Sequence, residues 1–276
     1  MRVALPSKGR LRDDCVTLLS HAGYATSMFR GSGSRATVEG LELIEMRPRD
    51  AAAALAVGQL DAAFLSTDIV AEYSLDELAA VPLGFAKCDL VVASRDDDGR
   101  GGVADLDGAV VATHLPHVAE RWFAARGVAV RVLEMGGSLE GVCAAGIAEA
   151  IVDLRETGTS LAANRLRVLE VIRQCQALFV RRDDGGLDDL VLRMEAVLTA
   201  RRQRYVMLHV PRERLDDLRS VFPGLASPTV LPLAGRDDLV AVHIVVGVSE
   251  FWSRLGDLRA MGATGIVALE PEALLA

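Results

Sequence analysis

Apolar residues along this chain come in short runs, each followed by a polar, often glycine-bearing turn and then by apolar positions three and four apart. Val3-Ala4-Leu5 opens the series, and Leu11, Cys15, Leu18, Leu19 and Ala22 then share one helical face that Gly23 closes. The pattern recurs. Strands are expected over 41–46, 60–65, 83–93, 109–112, 128–133, 150–154, 166–172 and 177–180. Between them lie helices from Asp50 (as N-cap) to Val57, from Ser66-Thr67-Asp68 onward, over 116–126, and over 139–145 with Ser138 as cap. Leu187, Leu190, Val191, Met194, Val197 and Leu198 define another helix, ending in the basic Arg201-Arg202-Gln203-Arg204. Strands alternating with helices predict parallel α/β sheets. Gly31-Ser32-Gly33-Ser34-Arg35 reads as a flexible loop, and Arg95–Gly102 as the crossing from one lobe to a second.

After residue 204 the pattern changes. Strands at 205–210, 229–233, 239–246 and 264–269 enclose helices at 212–221 and 249–261, with Pro223-Gly224-Leu225 and Ser227-Pro228-Thr229 as punctuation. The order β-α-β-β-α-β is that of a ferredoxin-like unit.

The chemistry concentrates where a strand meets a helix. Asp153 stands near the end of the apolar run Ala150-Ile151-Val152-Asp153-Leu154, and Thr157-Gly158-Thr159-Ser160 follows before Leu161 starts a helix. Gly158 permits a tight turn, so backbone N–H groups, hydroxyls and a helix N-terminus can converge on one spot suited to a phosphate. Asp153 could hold sugar hydroxyls or a Mg²⁺ bridging to a pyrophosphate. Taken alone, the same turn also reads as an ordinary strand-to-helix connection with a Ser/Thr cap. Lys8, Gly9 and Arg10 occupy a similar turn; they suit a polyphosphate, or are solvated surface charges.

Composition narrows the classes. Apolar residues make up 51% and charged residues 25% of 276, an ordinary soluble-enzyme balance. A net charge of −8 argues against a general nucleic-acid surface. Ala-rich 51–57 is too short to span a bilayer, and the N-terminus lacks a signal-peptide core, so a cytoplasmic protein is expected. Cys15, Cys88, Cys143 and Cys175 have no metal-ligand spacing and sit among apolar residues, as buried thiols do. His114 and His117 bracket Pro116, which argues against a shared metal-binding face. Trp122 and Phe123 read as core packing, with an adenine platform as the alternative.

The longer strings resemble a known family. Gly137-Ser138-Leu139-Glu140, Gly146 through Leu154, and Thr157-Gly158-Thr159-Ser160-Leu161 are similar to the phosphoribosyl pyrophosphate site of the ATP phosphoribosyltransferases of histidine biosynthesis. Pro6-Ser7-Lys8-Gly9, Arg47-Pro48-Arg49-Asp50, Thr67-Asp68 and Leu83-Gly84-Phe85-Ala86-Lys87-Cys88 extend the likeness; the family's last stretch runs Leu-Gly-Phe-Gly-x-Cys. Pro223-Gly224-Leu225-Ala226-Ser227-Pro228-Thr229-Val230, Val240–His243 and Met261–Ile266 resemble the C-terminal domain of the long form. The resemblance implies an α/β fold. It has a two-lobed, type II periplasmic-binding-protein-like catalytic region: lobe I at 1–94 with about 174–203, and lobe II at 95–173. A regulatory ferredoxin-like domain at 204–276 completes it.

It further implies transfer of phosphoribosyl from phosphoribosyl pyrophosphate to N1 of ATP, with Mg²⁺ brought by the substrate, inhibition by histidine, and a homo-oligomer, dimer or hexamer. No covalent nucleophile or acid/base dyad is expected. Carried over by motif, Glu140, Asp153, Thr157, Gly158, Thr159, Ser160 and Leu161 bind phosphoribosyl pyrophosphate. Lys8, Gly9, Arg10, Arg47, Asp50 and Asp68 line the cleft. The chain departs from the pattern at Ser66 and at His114-Leu115-Pro116-His117, where the family usually reads x-Tyr-Pro-Asn. Those departures keep two alternatives open, a paralogue with another acceptor and a non-catalytic two-lobed sensor.

Overall fold

The computed structural model describes residues 1–30, 34–182, 185–222 and 227–275. The chain begins with β1 (Arg2–Pro6), α1 (Gly9–His21), β2 (Arg35–Val38), β3 (Leu41–Met46), α2 (Pro48–Ala56), β4 (Ala62–Ser66), α3 (Thr67–Glu72) and β5 (Ala79–Pro82). It continues through β6 (Cys88–Arg95), β7 (Val110–Thr113), α4 (Pro116–Ala124), β8 (Arg131–Glu134), α5 (Leu139–Ala144), β9 (Ala150–Arg155), α6 (Thr159–Ala163), β10 (Leu166–Cys175) and β11 (Ala177–Arg181).

Two sheets result, ordered β2-β3-β1-β4-β11-β5 and β10-β6-β9-β7-β8. One plan underlies both. Three parallel strands stand with the first in the middle, β3-β1-β4 in lobe I and β8-β7-β9 in lobe II. An antiparallel strand arriving from the other lobe comes next, β11 in lobe I and β6 in lobe II. A last strand pairs antiparallel to that one, β5 and β10 respectively. The parallel strands are apolar on both faces (Val3, Ala4 and Leu5 in β1; Ala150, Ile151 and Val152 in β9) because helices cover both. The sheets are mixed rather than parallel throughout, since each must accept the strand that has just crossed over.

This arrangement moves the expected lobe boundaries. Arg95–Gly102 is a surface connection at the end of β6, and β6 already belongs to the second sheet, pairing Ser94 with Ala150 and Asp89 with Arg155. The chain crosses at 83–87 and returns at Gln176, between β10 and β11. Polar, glycine-rich composition marks exposure, whereas the crossing segments feed central strands and are half apolar. Two caps also differ from expectation. Arg47 stands at the N-cap of α2, with Pro48 at its first turn and Asp50 inside the helix. Ser138 precedes α5 with φ +56° and makes no side-chain cap bond. The loop expected at 31–35 lies partly outside the described residues; Arg35 begins β2.

A second compact unit comprises Leu18–Tyr24 and Leu187–Ala276. It takes in α7 (Asp188–Ala200), which had been expected with lobe I. Then come β12 (Gln203–Pro211), α8 (Leu215–Val221), β13 (Thr229–Leu233), β14 (Arg236–Gly247), α9 (Val248–Ser253), α10 (Leu255–Ala260) and β15 (Thr264–Leu269). The antiparallel order β13-β14-β12-β15 is the ferredoxin-like one. Val206, Leu208, Val242 and Ile244 bury one face of this sheet under Leu218, Phe251 and Leu258. The helix expected at 249–261 is broken at Arg254, and the one expected from Arg212 begins as a short 3-10 turn. Pro223-Gly224-Leu225 lie outside the described residues.

Candidate functional site

Within the two-lobed unit, each of the six parallel strands ends in a turn to a helix, and all six ends meet at one cavity of about 640 Å³. Lobe I contributes Ser7 and Lys8 after β1, Arg47 to Asp50 after β3, and Ser66 and Asp68 after β4. Lobe II contributes His114 after β7, Gly136 after β8, and Leu154 of β9. This is the crevice at strand C-terminal ends where α/β sheets hold ligands. Lys8, Arg47, Asp50 and Asp68 line this cavity. Gly9 starts α1 in the left-handed region at φ +77°, which frees the turn to bend tightly.

Asp153 meets the cavity through His114, whose Nδ1 lies 3.6 Å from Asp153 Oδ1. The same oxygen accepts a hydrogen bond from the Leu154 amide at 2.7 Å. Burial raises the Asp153 carboxyl above the usual carboxylate range; the Leu154 amide and His114 oppose the rise, and Glu140 and Asp68 add to it. His114, Glu140 and Asp68, from three other strand-to-helix connections, thus lie close enough to act on Asp153. Asp68 is 1% exposed, and its Oδ1 is buried with no hydrogen-bond partner among the described residues. A buried orphan carboxylate oxygen is costly unless a ligand completes it.

Gly158 takes φ +81° and caps α6, so the turn needs glycine there. Thr157 and Thr159 join hydroxyls at 2.9 Å, and Ser160 Oγ donates to Glu140 Oε1 at 2.5 Å. Thr157, Thr159 and Ser160 are exposed, ready to exchange these partners for a ligand's oxygens. Leu161 is 6% exposed and packs into the lobe II core, so only its backbone can serve a ligand.

Among the described residues, two arginine–carboxylate pairs join the lobes. Arg10 pairs with Glu156, directly before the Thr157 turn. Arg49 Nη2 reaches Glu134 Oε1 at 2.5 Å and is also held by Tyr73. Arg49, Tyr73 and His114 were not selected from the sequence. Arg49 shares its turn with Arg47, and His114 immediately follows a strand, so position alone could have singled both out. His117 faces elsewhere, with Nδ1 2.9 Å from Glu72 Oε1. Glu72 of lobe I also accepts from the His117 and Val118 amides at 3.1 and 2.9 Å, capping α4 of lobe II.

The departures from the family strings differ in place: Ser66 lines the cavity, whereas Leu115 lies in the core. Leu115 is fully buried, and Ser66 has an extended backbone at φ −125° that requires no glycine. Trp122 packs against the core and carries the Arg126 guanidinium 3.7 Å above its ring, so it is not an open adenine platform.

Comparison with known proteins follows this geometry. The family model for ATP phosphoribosyltransferase matches residues 47–201, and that for the HisG C-terminal domain matches 200–272. The chain is 37% identical to the ATP phosphoribosyltransferase of Gemmatimonas aurantiaca, covering 100% of this chain and 99% of the relative. It is 36% identical to that of Maricaulis maris, again over 100% and 99%. Among solved structures, the ATP phosphoribosyl transferase (HisG:HisZ) complex from Thermotoga maritima superposes with a TM-score of 0.63 at 25% identity, covering 72% of this chain and 98% of the other.

Proposed function

We propose a division of labour inside the cleft of this chain, which belongs to the ATP phosphoribosyltransferase family in the form carrying the C-terminal domain. The family's reaction, transfer of phosphoribosyl from phosphoribosyl pyrophosphate to ATP as the first step of histidine biosynthesis, is the activity of this chain. In our reading, lobe II holds the sugar. The turn Thr157–Ser160 cradles the 5′-phosphate, and Asp153 accepts hydrogen bonds from the ribose hydroxyls. Lobe I holds the charged groups, with Lys8, Arg10 and Arg47 facing the departing pyrophosphate and the triphosphate of ATP. The observation that carries this is the convergence of all six strand ends on one cavity, where Lys8 and Arg47 come from lobe I and His114, which reaches the Asp153 carboxyl, comes from lobe II.

The sugar carbon passes through a cation-like state, so holding the adenine N1 in line and stabilising the pyrophosphate are the protein's tasks. The ionised Asp153 beside the ribose favours that positive charge. Glu140 holds Ser160 and so sets the turn. Among the described residues, no three His, Cys, Asp or Glu side chains form a metal-binding group. The unpartnered Asp68 oxygen and Asp153 fit a hard cation arriving on the substrate. Asp68 and Asp153 would hold Mg²⁺ there, and the ion would supply charge neutralisation for the leaving pyrophosphate.

We assign histidine inhibition to the ferredoxin-like unit and self-association to the open face of its sheet, where Leu231, Val267 and Leu269 are exposed. No helix among the described residues is long and apolar enough to cross a membrane, and we place the enzyme in the cytoplasm with its pathway.

The test mixes the protein with Mg²⁺, ATP and phosphoribosyl pyrophosphate, with pyrophosphatase present, and identifies phosphoribosyl-ATP by mass with and without histidine. Asp153→Ala is expected to lower turnover and phosphoribosyl pyrophosphate binding severely while ATP still binds. Loss of ATP binding instead would overturn the assignment of the two lobes. Turnover indifferent to histidine would remove the regulatory role.

A further inference from the structure

We propose that Cys88 and Cys175 form a reversible thiol–disulfide switch at the hinge between the two lobes. The pair is set by register. Cys88 is the first residue of β6, Cys175 is the last of β10, and the two are direct partners on these antiparallel strands. Such partners have Cα atoms about 4.5–5.5 Å apart, inside the span a disulfide tolerates. Their location gives the bond a consequence. Residues 83–87 carry the chain from lobe I into β6, and Gln176 carries it back from β10, so the two thiols flank both crossings. A covalent link here would staple the outgoing strand to the returning one.

The site is open to a small oxidant. Both cysteines line a cavity of about 380 Å³ together with Lys87, Arg155 and Gln176. Cys15 is fully buried and Cys143 likewise, so neither competes for access. A hydrogen bond from Cys175 lowers the Cys88 thiol, against burial and the charges of Asp68 and Asp89, while the same bond and then burial raise Cys175. The more acidic, partly exposed thiol is the attacking one and the buried one resolves.

The chemistry balances with a peroxide as oxidant. The Cys88 thiolate takes the terminal oxygen of hydrogen peroxide as the O–O bond breaks, giving a sulfenic acid and, after protonation, water. The Cys175 sulfur then displaces hydroxide from the sulfenyl sulfur. The S–O bond breaks, the S–S bond forms, and the Cys175 proton leaves with the hydroxide as a second water. Two thiols lose two electrons and the peroxide gains them. A dithiol restores both by exchange.

The switch reaches the cleft by two short routes. The Gln176 carbonyl accepts from the Thr67 amide and hydroxyl at 3.0 and 3.1 Å, and Thr67 adjoins Asp68 in the cleft. On the other side Asp89, next to Cys88, pairs with Arg155, one residue before Glu156 and two before the Thr157 turn. Fixing Cys88 to Cys175 therefore restrains a cleft wall and the phosphate turn together.

The test uses the full chain. Protein is treated with hydrogen peroxide, digested without reductant and mapped by mass, and initial rates are read before and after dithiothreitol. We expect a peptide pair joined through Cys88 and Cys175, two hydrogens lighter than its parts. We also expect a rate at least tenfold lower that dithiothreitol restores, and Cys175→Ser protein that keeps its rate under the brief dose that crosslinks the wild type. Should that variant fail to fold, the wild-type peptide map and the reversal decide alone. Recovery of both residues as free thiols, a link to Cys15 or Cys143, a link without change in rate, or a loss that dithiothreitol does not reverse would each overturn the proposal.

Discussion

In lobe I the strand ends facing the cleft carry Lys8, Arg10, Arg47 and Arg49 beside Asp50 and Asp68, whereas in lobe II the equivalent strand ends and helix starts carry His114, Glu140, Asp153 and the hydroxyls of Thr157, Thr159 and Ser160. The scaffold beneath is the same in both: three parallel strands, then one strand borrowed from the other lobe. A repeated backbone thus offers six equivalent positions, and the residues placed on them decide what each half holds. The difference also explains how a chain with net charge −8 can take two polyphosphate substrates. Positive charge is local to one wall of one cleft, and two of its arginines are held on lobe II carboxylates, Glu156 and Glu134.

The sharpest way to break the comparison is at Asp153. Asp153→Ala should lower kcat/KM for phosphoribosyl pyrophosphate about 1,000-fold, roughly 4 kcal/mol of transition-state stabilisation, while ATP affinity changes little. Stability should move the other way. Burial raises the folded carboxyl above its unfolded value, so its contribution to stability is fully present below the unfolded pKa of about 3.9 and is lost as pH rises through the folded one. Asp153→Asn removes the ionisation, and its Tm should exceed that of the wild type at pH 7, with the gap closing below about pH 4. A lower Tm at pH 7 would mean that His114 stabilises the carboxylate more than burial costs it.

On the opposite wall, Lys8→Ala should weaken competitive inhibition by inorganic pyrophosphate by about 10- to 100-fold, the worth of a charge-assisted contact. The loss should shrink as salt is raised. An unchanged inhibition constant would move the pyrophosphate away from lobe I.

The parts legible in the sequence are those governed by local rules. β3 and β15 have the bounds that alternation and apolar runs predict, and the turn Thr157–Ser160 follows from glycine, hydroxyl and helix start in succession. The ferredoxin-like order was readable because its strands pair with near neighbours. What escaped is long-range. The strand each lobe lends to the other, the break between lobes at 83–87 and the pairing of Cys88 with Cys175 depend on partners far away in the chain, Ser94 with Ala150, Cys88 with Cys175 and Arg181 with Ala62 among them. No window of local periodicity contains them. The same holds for Glu72. Nothing near it in the chain shows that it caps α4, 45 and 46 residues further on.

That cap is the third prediction, because it joins the lobes without entering the cleft. Glu72→Gln keeps the shape but loses the charge facing two amides and His117, and should cost about 1–2 kcal/mol in urea unfolding. Turnover should stay within about threefold of the wild type. A much larger loss of turnover at unchanged stability would make Glu72 a part of lobe closure.

The smallest effect is expected at the crossing itself. Ala86 adopts φ +50°, and Gly84 two residues earlier adopts φ +75°, so the chain passes between lobes through two left-handed residues. The segment is pinned on either side: the Leu83 amide donates to the Ala177 carbonyl, and the Ala177 amide to the Phe85 carbonyl, both at 3.0 Å. An alanine pays about 1–2 kcal/mol for a left-handed backbone, and glycine gives back about 0.4–1 kcal/mol through its freer unfolded chain. Ala86→Gly should therefore raise stability by roughly 0.5 kcal/mol, seen as a small increase in the urea midpoint at unchanged slope. The family stretch this segment resembles carries glycine at that place. If the substitution instead lowers the midpoint, the methyl group contributes packing at the hinge that outweighs the strain. The crossing would then be held by side-chain contact as well as by its two backbone hydrogen bonds.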